Sequence, residues 1–254
     1  MRSLLNELRR NAVDVRTFGL GILGRHLSRS ARWSGHLRGI GRVSLRPAQS
    51  DTAAFRQVFA GREYDLSDTP GIQARVDAAY AAMLAAGETP VILDAGANVG
   101  ASALWFARRY PRARIVAVEP DPGNFAVLSD NVRDHAMIEP VHAAIGAEPG
   151  FVAVDPMWAG WAARTTRAEE GVPVVTVQDC CKAGKLFIAK IDIEGFEKDL
   201  FASNTGWIEE AAVVAVEPHD WLMPGEFTSR HFLTELSKHP FEVVIKGENL
   251  IFVR

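Results

Sequence analysis

The sequence predicts an α/β fold with a doubly wound, mostly parallel sheet, and three observations carry that prediction. The stretch Pro90–Gly100, PVILDAGANVG, runs from an apolar strand through a glycine turn into a helix start. Beyond it strand and helix patterns alternate, as parallel βαβ units require. At the end, Phe241–Ile245 and Leu250–Val253 flank Gly247-Glu248-Asn249 and read as a closing hairpin that adds one antiparallel strand.

With 254 residues and 48% hydrophobic content, the chain can bury one α/β core and an accessory segment. The net charge of -3 says little about partners, because it is unevenly distributed. In residues 1–46, Arg2, Arg9, Arg10, Arg16, Arg25, Arg29, Arg32, Arg38, Arg42 and Arg46 face only Glu7 and Asp14. Leu4, Leu5, Leu8, Val13 and Phe18 lie among them, which suits an amphipathic helix. The segment reads first as a solvated helical extension packed on the core. Contact with an anionic membrane surface or acceptor ranks second, and a targeting peptide third. The adjacent Cys180 and Cys181 are poorly placed for an ordinary disulfide with each other, so a cytoplasmic location is expected. No apolar run reaches the roughly 18 residues of a membrane span.

In chain order, Gly41–Pro47 alternates like a short strand, and Ser50 or Asp51 then caps a helix carrying Phe55, Val58 and Phe59. A second helix begins at Thr69-Pro70 and ends at Gly87, with Ile72, Val76, Tyr80 and Met83 as a core stripe. The first sheet strand is Val91–Leu93. Val99, Ala103, Phe106 and Tyr110 then fall at helical spacing until Pro111. Ala113–Val118 is the second strand, ending in Glu119. Asp121-Pro122 caps the next helix, whose Phe125, Leu128 and Val132 face inward. A third strand is expected near Pro140–Ile145, with Ala143-Ala144 lining an adenine pocket. From about 150 to 178 the pattern breaks into two strands, Phe151–Val154 and Val172–Val177, flanking Trp158-Ala159-Gly160-Trp161. Such an insertion can build an acceptor site. Leu186–Ile193 and Ala211–Val216 are the fourth and fifth strands, and Ser229–Lys238 is the last helix.

The chemistry belongs beyond the carboxyl ends of these strands. Asp94 closes the first strand where a dinucleotide fingerprint would place donors for a pyrophosphate; the glycines are Gly96 and Gly100, with Asn98 between them, and G-x-G-x-x-G is missing. Glu119 can accept hydrogen bonds from both hydroxyls of a ribose. Together these favour S-adenosylmethionine, a sulfonium nucleoside without phosphates. Alternation puts Lys190, Asp192 and Glu194 on one side of the fourth strand, toward the same rim. Glu217 and His219 end the fifth.

The run Lys190-Ile191-Asp192-Ile193-Glu194-Gly195-Phe196-Glu197 closely resembles the signature of FkbM-type S-adenosylmethionine-dependent methyltransferases. Asp94–Gly100 and Glu119-Pro120 are similar to their cofactor motifs, and the likeness continues upstream through Leu45-Arg46-Pro47, Ser50-Asp51 and Glu63-Tyr64-Asp65. The resemblance implies a class I methyltransferase sheet, Rossmann-like, and O-methylation of a sugar, glycoconjugate or secondary-metabolite hydroxyl. It also implies that Asp94, Gly96, Asn98 and Gly100 surround the methionine end of the cofactor, that Glu119 holds the ribose, and that Pro120, Ala144 and Asp192 line the same site.

Among the rim residues, His219 is the expected base for the acceptor proton and Asp192 the runner-up, with Glu194 and Lys190 beside them. Trp158, Trp161 and Trp221 are candidate stacking surfaces for the acceptor. Asp192, Glu217 and His219 could also ligate magnesium, which prefers oxygen ligands, so metal is left unassigned. The expected organisation is a basic extension over 1–46, a helical cover over 47–88 and a cofactor-binding domain over 89–254. The competing readings are a nicotinamide-dependent oxidoreductase and a cofactor-binding accessory protein without catalysis. No base-flipping motif supports a nucleic-acid substrate.

Overall fold

The computed structural model describes residues 2–26, 30–157 and 162–254. The chain opens with helix α1 (Arg2–Phe18), a short 3-10 turn (Leu20–His26) and a hairpin of β1 (Trp33–Leu37) and β2 (Gly41–Leu45). Helix α2 (Asp51–Phe55) runs into one π-helical turn (Arg56–Ala60), and α3 (Pro70–Ala85) follows. Then come β3 (Pro90–Ala95), α4 (Ala101–Arg109), β4 (Arg114–Val118), α5 (Pro122–Val132) and β5 (Ile138–Val141). The middle section holds β6 (Ala144–Ile145), β7 (Gly150–Met157), β8 (Ala162–Ala168), β9 (Val172–Val175) and α6 (Val177–Cys180). The last part is β10 (Lys185–Ile191), α7 (Glu197–Leu200), β11 (Val213–Val216), α8 (Thr228–Leu236), β12 (Glu242–Lys246) and β13 (Asn249–Val253).

Seven strands form the main sheet in the order β12-β13-β11-β10-β3-β4-β5. All neighbours pair in parallel except β13, which is antiparallel to both β11 and β12. The chain winds outward from β3 through β4 to β5, then crosses to β10 on the other side of β3. That reversal between β3 and β10 opens a crevice at the strand ends. Alternation along the strands feeds two cores. Ile92, Ile115, Ile188 and Val213 face one, under α3 and α4, whereas Leu93, Val116, Ala189 and Val214 face the other.

The N-terminal segment is packed onto the first core, because Phe18, Ile22, Leu37, Val43 and Leu45 are buried there. Asp14, fully buried, accepts from Arg25 at 2.7 Å and from Arg56 at 2.8 and 2.9 Å. That network ties α1 to the π-helical turn.

The α3 stripe is as the periodicity predicts, with Val76 buried and Ile72, Tyr80 and Met83 packed beside it. Several local expectations need correction. Val99 lies in the turn before α4. Ser50 makes no side-chain cap, and the Asp51 carboxylate instead binds Arg46. The strand expected near 140–145 splits, because the chain turns after Val141: β5 stays in the main sheet and β6 joins a second sheet, β6-β9-β7-β8. In that sheet the hairpin partner of β7 is β8, a polar strand absent from the sequence reading, and β9 lies on the other side of β7. Val177 begins a helix, capped by Thr176 and Asp179, rather than ending a strand. The strand expected over 186–193 stops at Ile191, since Glu194 and Gly195 both take positive φ (53° and 93°). The fifth strand begins two residues late, at Val213. Both cysteines are free, and no helix among the described residues is long and apolar enough to cross a membrane.

Candidate functional site

At the switch point a cleft of about 250 Å³ opens beside the loops that follow β3, β4 and β10. Its floor is made by a close crossing of two loops. Gly96, at φ +74°, receives the backbone of the β10 loop so closely that a Cβ there would overlap the Asp192 carbonyl oxygen. The Asp192 N–H in turn donates to Ala95 O at 3.1 Å. Glycine is required because two backbones meet where a side chain would stand.

Glu119 occupies the end of β4, and the Asn98 N–H donates to its Oε2 at 2.8 Å while the Asp121 N–H donates to its Oε1 at 2.9 Å. Burial raises its pKa to about 7, against the lowering effect of those two bonds. The Asn124 Nδ2 also donates to Oε1, at 3.5 Å, while Oε2 keeps a further lone pair for a ligand hydroxyl. The loop after Glu119 is braced from outside the sheet: Arg46 donates to Asp51 and, at 2.6 Å, to Asn124 Oδ1. Arg46 and Gln49 line the cleft, as do Pro120, Ala143 and Ala144.

Asp94 and Gly100 stand behind the lining. Asp94 is fully buried, accepts from Ser102 at 2.6 Å and pairs with Lys190 at 3.3 Å. Its charge is therefore answered within the protein, and the acids that line the cleft are Glu119, Asp121, Asp192 and Glu194. Asp94, expected at the cationic end of the cofactor, thus lies behind the cleft lining and pairs with Lys190. Gly100 starts α4 against Leu128.

Lys190 lies beneath the glycine loop, its ammonium 2.6 Å from Gly96 O, 3.3 Å from Ala95 O and 3.4 Å from Asp192 Oδ2. Burial pulls its pKa down, but Asp192 and Asp94 outweigh that and hold it well above the ordinary value. From beneath the loop the ammonium ties the Ala95 and Gly96 carbonyls to the Asp192 carboxylate.

His219, the expected base, lies behind the cleft lining. It is 2% exposed, with Nδ1 2.8 Å from Glu197 Oε1 and Nε2 facing Asp192 and Glu194 at 3.5 Å. Burial opposes its charge, yet the Glu197 bond and the surrounding carboxylates raise its pKa to about 9. With carboxylates facing both ring nitrogens, the charged imidazolium is the form these surroundings favour. Glu194 and Glu217 are both pushed up to about 8, by burial first and the Asp192 charge second. Glu194 Oε2 is buried, and no donor among the described residues makes a hydrogen bond to it. Asp192, Glu194 and His219 bring potential metal-ligand atoms within 4.8 Å of one another, as do Glu63, Glu217 and Glu248.

The expected aromatic platform is only partly accessible to description. Trp158 and Trp161 lie outside the described residues. Trp221 is 62% exposed on the surface after β11. Among the lining residues that sequence reasoning missed are Arg46, Gln49, Asn124, Thr165 and Phe196. Arg46 and Phe196 stood inside the quoted resemblance but carried no role there.

A family model described as the methyltransferase FkbM domain matches residues 94–239. Methyltransferase sdnD of Sordaria araneosa is 33% identical over 78 residues, 31% of this chain and 24% of that protein. The hexuronic acid methyltransferase AglP of Haloferax volcanii is 23% identical over 148 residues, 56% of this chain and 61% of that protein. The matched stretches thus span less than two thirds of either relative. Among solved structures, the methyltransferase FkbM of Methylobacillus flagellatus superposes with a TM-score of 0.46 at 16% identity, covering 66% of this chain and 43% of that one. With more than half of its length matched by the family model, from the acid behind the glycine loop to beyond the last helix, this chain belongs to the FkbM methyltransferase domain family.

Proposed function

We propose that the chain is an S-adenosylmethionine-dependent O-methyltransferase acting on a hydroxyl of a sugar, glycoconjugate or secondary metabolite. The observation that carries the reading is Glu119: a buried carboxylate at the end of β4, held by two backbone N–H groups, in the same cleft as Asp192 and Glu194. Glu119 suits two vicinal ribose hydroxyls and lines one cleft with Gly96, Asn98 and Asp192, so the residues fit this cofactor. Glu119, Asn98, Pro120 and Ala144 would hold its nucleoside half, and Gly96 and Asp192 its methionine half. When bound, the cofactor supplies a methyl group on a cationic sulfur, which keeps the electron pair of the broken bond.

The protein's own part is to align the acceptor and receive its proton. Glu194 is preferred to His219 on this reading because it lines the cleft, whereas His219 lies behind the lining with carboxylates facing both ring nitrogens. Lys190 and His219 are positioning residues on this reading. The domain organisation follows as a proposal: 89–254 carries the site, 47–88 covers the sheet, and 1–46 reaches the cleft through Arg46. The exposed Leu8, Val13 and Leu20 beside Arg9, Arg10 and Arg16 support peripheral contact with an anionic membrane from the cytoplasmic side.

Calorimetric titration with S-adenosylhomocysteine and with NAD tests the reading. Binding of the first alone supports it, and binding of NAD alone would replace it with an oxidoreductase. Cofactor binding without methyl transfer to any fractionated hydroxyl-bearing metabolite or glycolipid would leave an accessory protein.

A further inference from the structure

A second groove, about 290 Å³, adjoins the cofactor cleft and shares Thr165, Glu194 and Phe196 with it. We propose that this groove seats the acceptor, and that the acceptor is an uncharged, hydroxyl-rich molecule such as a neutral glycosyl residue. The proposal rests on the methyltransferase reading above and adds to it a place and a charge class for the second substrate.

The groove is a built feature. Gly195, at φ +93°, lets the Met223 thioether pack against the backbone, where any Cβ would overlap Sδ and Cε. Phe196 forms part of the wall, with the Arg167 guanidinium 5.6 Å from its ring centre. Thr165 and Thr166 of β8 line the opposite side. The mouth toward the cofactor is Glu194, the carboxylate assigned the acceptor proton.

The charge class follows from how the cations are held. Arg167 donates twice to Asp199, at 2.8 and 2.7 Å, and Lys198 donates to Glu226 at 2.7 Å. Both pairs are partly open to solvent. An anionic acceptor would find each cation already opposed by a carboxylate, with Glu194 adding a further acid. A hydroxyl both donates and accepts, so it can bond to either member of such a pair. Arg–Asp and Lys–Glu pairs flanking two threonines and an apolar floor therefore favour a neutral polyol over a uronate or a phosphate.

The test uses the full chain saturated with S-adenosylhomocysteine, and saturation-transfer NMR with titration of methyl glucoside, glucuronate and glucose 1-phosphate. The neutral glycoside should bind, with both anions weaker by roughly tenfold or more. Thr166→Trp, at an exposed position, should fill the groove and abolish glycoside binding, and Lys198→Ala should weaken it several-fold. Neither change should alter affinity for S-adenosylhomocysteine. Tighter binding of either anion, no binding of the neutral glycoside, or glycoside binding indifferent to Thr166→Trp overturns the proposal. Failure of S-adenosylhomocysteine itself to bind removes the methyltransferase reading instead, so the two failures are distinguishable.

Discussion

The His219 imidazole and the Glu197 carboxylate form a buried pair, Nδ1 to Oε1 at 2.8 Å, with 2% and 1% of the two side chains exposed. The contact places a carboxylate against one ring nitrogen, and Asp192 and Glu194 face the other at 3.5 Å. These acids favour the charged imidazole, and on the reading proposed above the acceptor proton goes to a carboxylate beside it.

If Glu194 takes the acceptor proton, turnover should rise with pH through an apparent pKa near 8, the value to which burial and Asp192 push its carboxyl. Glu194→Gln should lower kcat by roughly 100-fold or more while the Kd for S-adenosylhomocysteine stays the same. A pH profile already flat from pH 6 upward, or full activity in the variant, would remove Glu194 from this role.

Stability should fall as the solution becomes alkaline. His219 is raised from 6.5 to about 9, so the folded chain holds a proton that the unfolded chain has released across that window. Glu194 and Glu217 are raised from 4.5 to about 8, with the same sign. Where the folded state binds more protons, stability declines with pH. The contribution is complete below the unfolded values and gone above the folded ones. Thermal melting should therefore show a lower Tm at pH 9 than at pH 6, and Glu217→Gln should flatten the slope. A Tm that climbs over this interval contradicts the arrangement.

Glu119 offers a separate handle on the cofactor. Its pKa of about 7 means that affinity for S-adenosylhomocysteine should fall as pH drops through neutrality, because a protonated carboxyl loses acceptor capacity. Glu119→Gln should cost roughly tenfold in Kd, about the worth of one hydrogen bond to a charged group, and abolish that pH dependence. Calorimetry at pH 6 and pH 8 on both proteins decides it.

The N-terminal network should matter for folding rather than chemistry. Asp14→Ala leaves Arg25 and Arg56 without their shared carboxylate, and breaking a buried pair costs roughly 3–5 kcal/mol. Chemical denaturation should show a loss of that order, with the effect on binding confined to the folded fraction. A change within error would mean that solvent replaces the contact.

Local signals made much of this legible from the chain. The strand, glycine turn and helix around Asp94–Gly100 are contiguous, so the apolar run and the turn residues specify them together. Glu119 and Asp192 could be placed because each ends a strand, and strand ends meet at one rim. The polar β8, with Ala162-Ala163-Arg164-Thr165-Thr166-Arg167-Ala168, carries no apolar stripe, and its strand state comes from pairing with β7. Arg46 reaches the cleft through Asn124, 78 positions away, and no local pattern announces such a contact. His219 meets Glu197 at the start of α7, 22 positions away, a contact that residue type alone does not announce.

The ammonium of Lys190 touches the carbonyls of Ala95 and Gly96 on one loop and the carboxylate of Asp192 on the other. One side chain thus serves as a rivet through the two walls that the co-reactants would press upon. Whatever shifts either wall is transmitted to its neighbour, so occupancy by the first reactant should change the affinity of the second, and by thermodynamic reciprocity the second should change the first by the same factor.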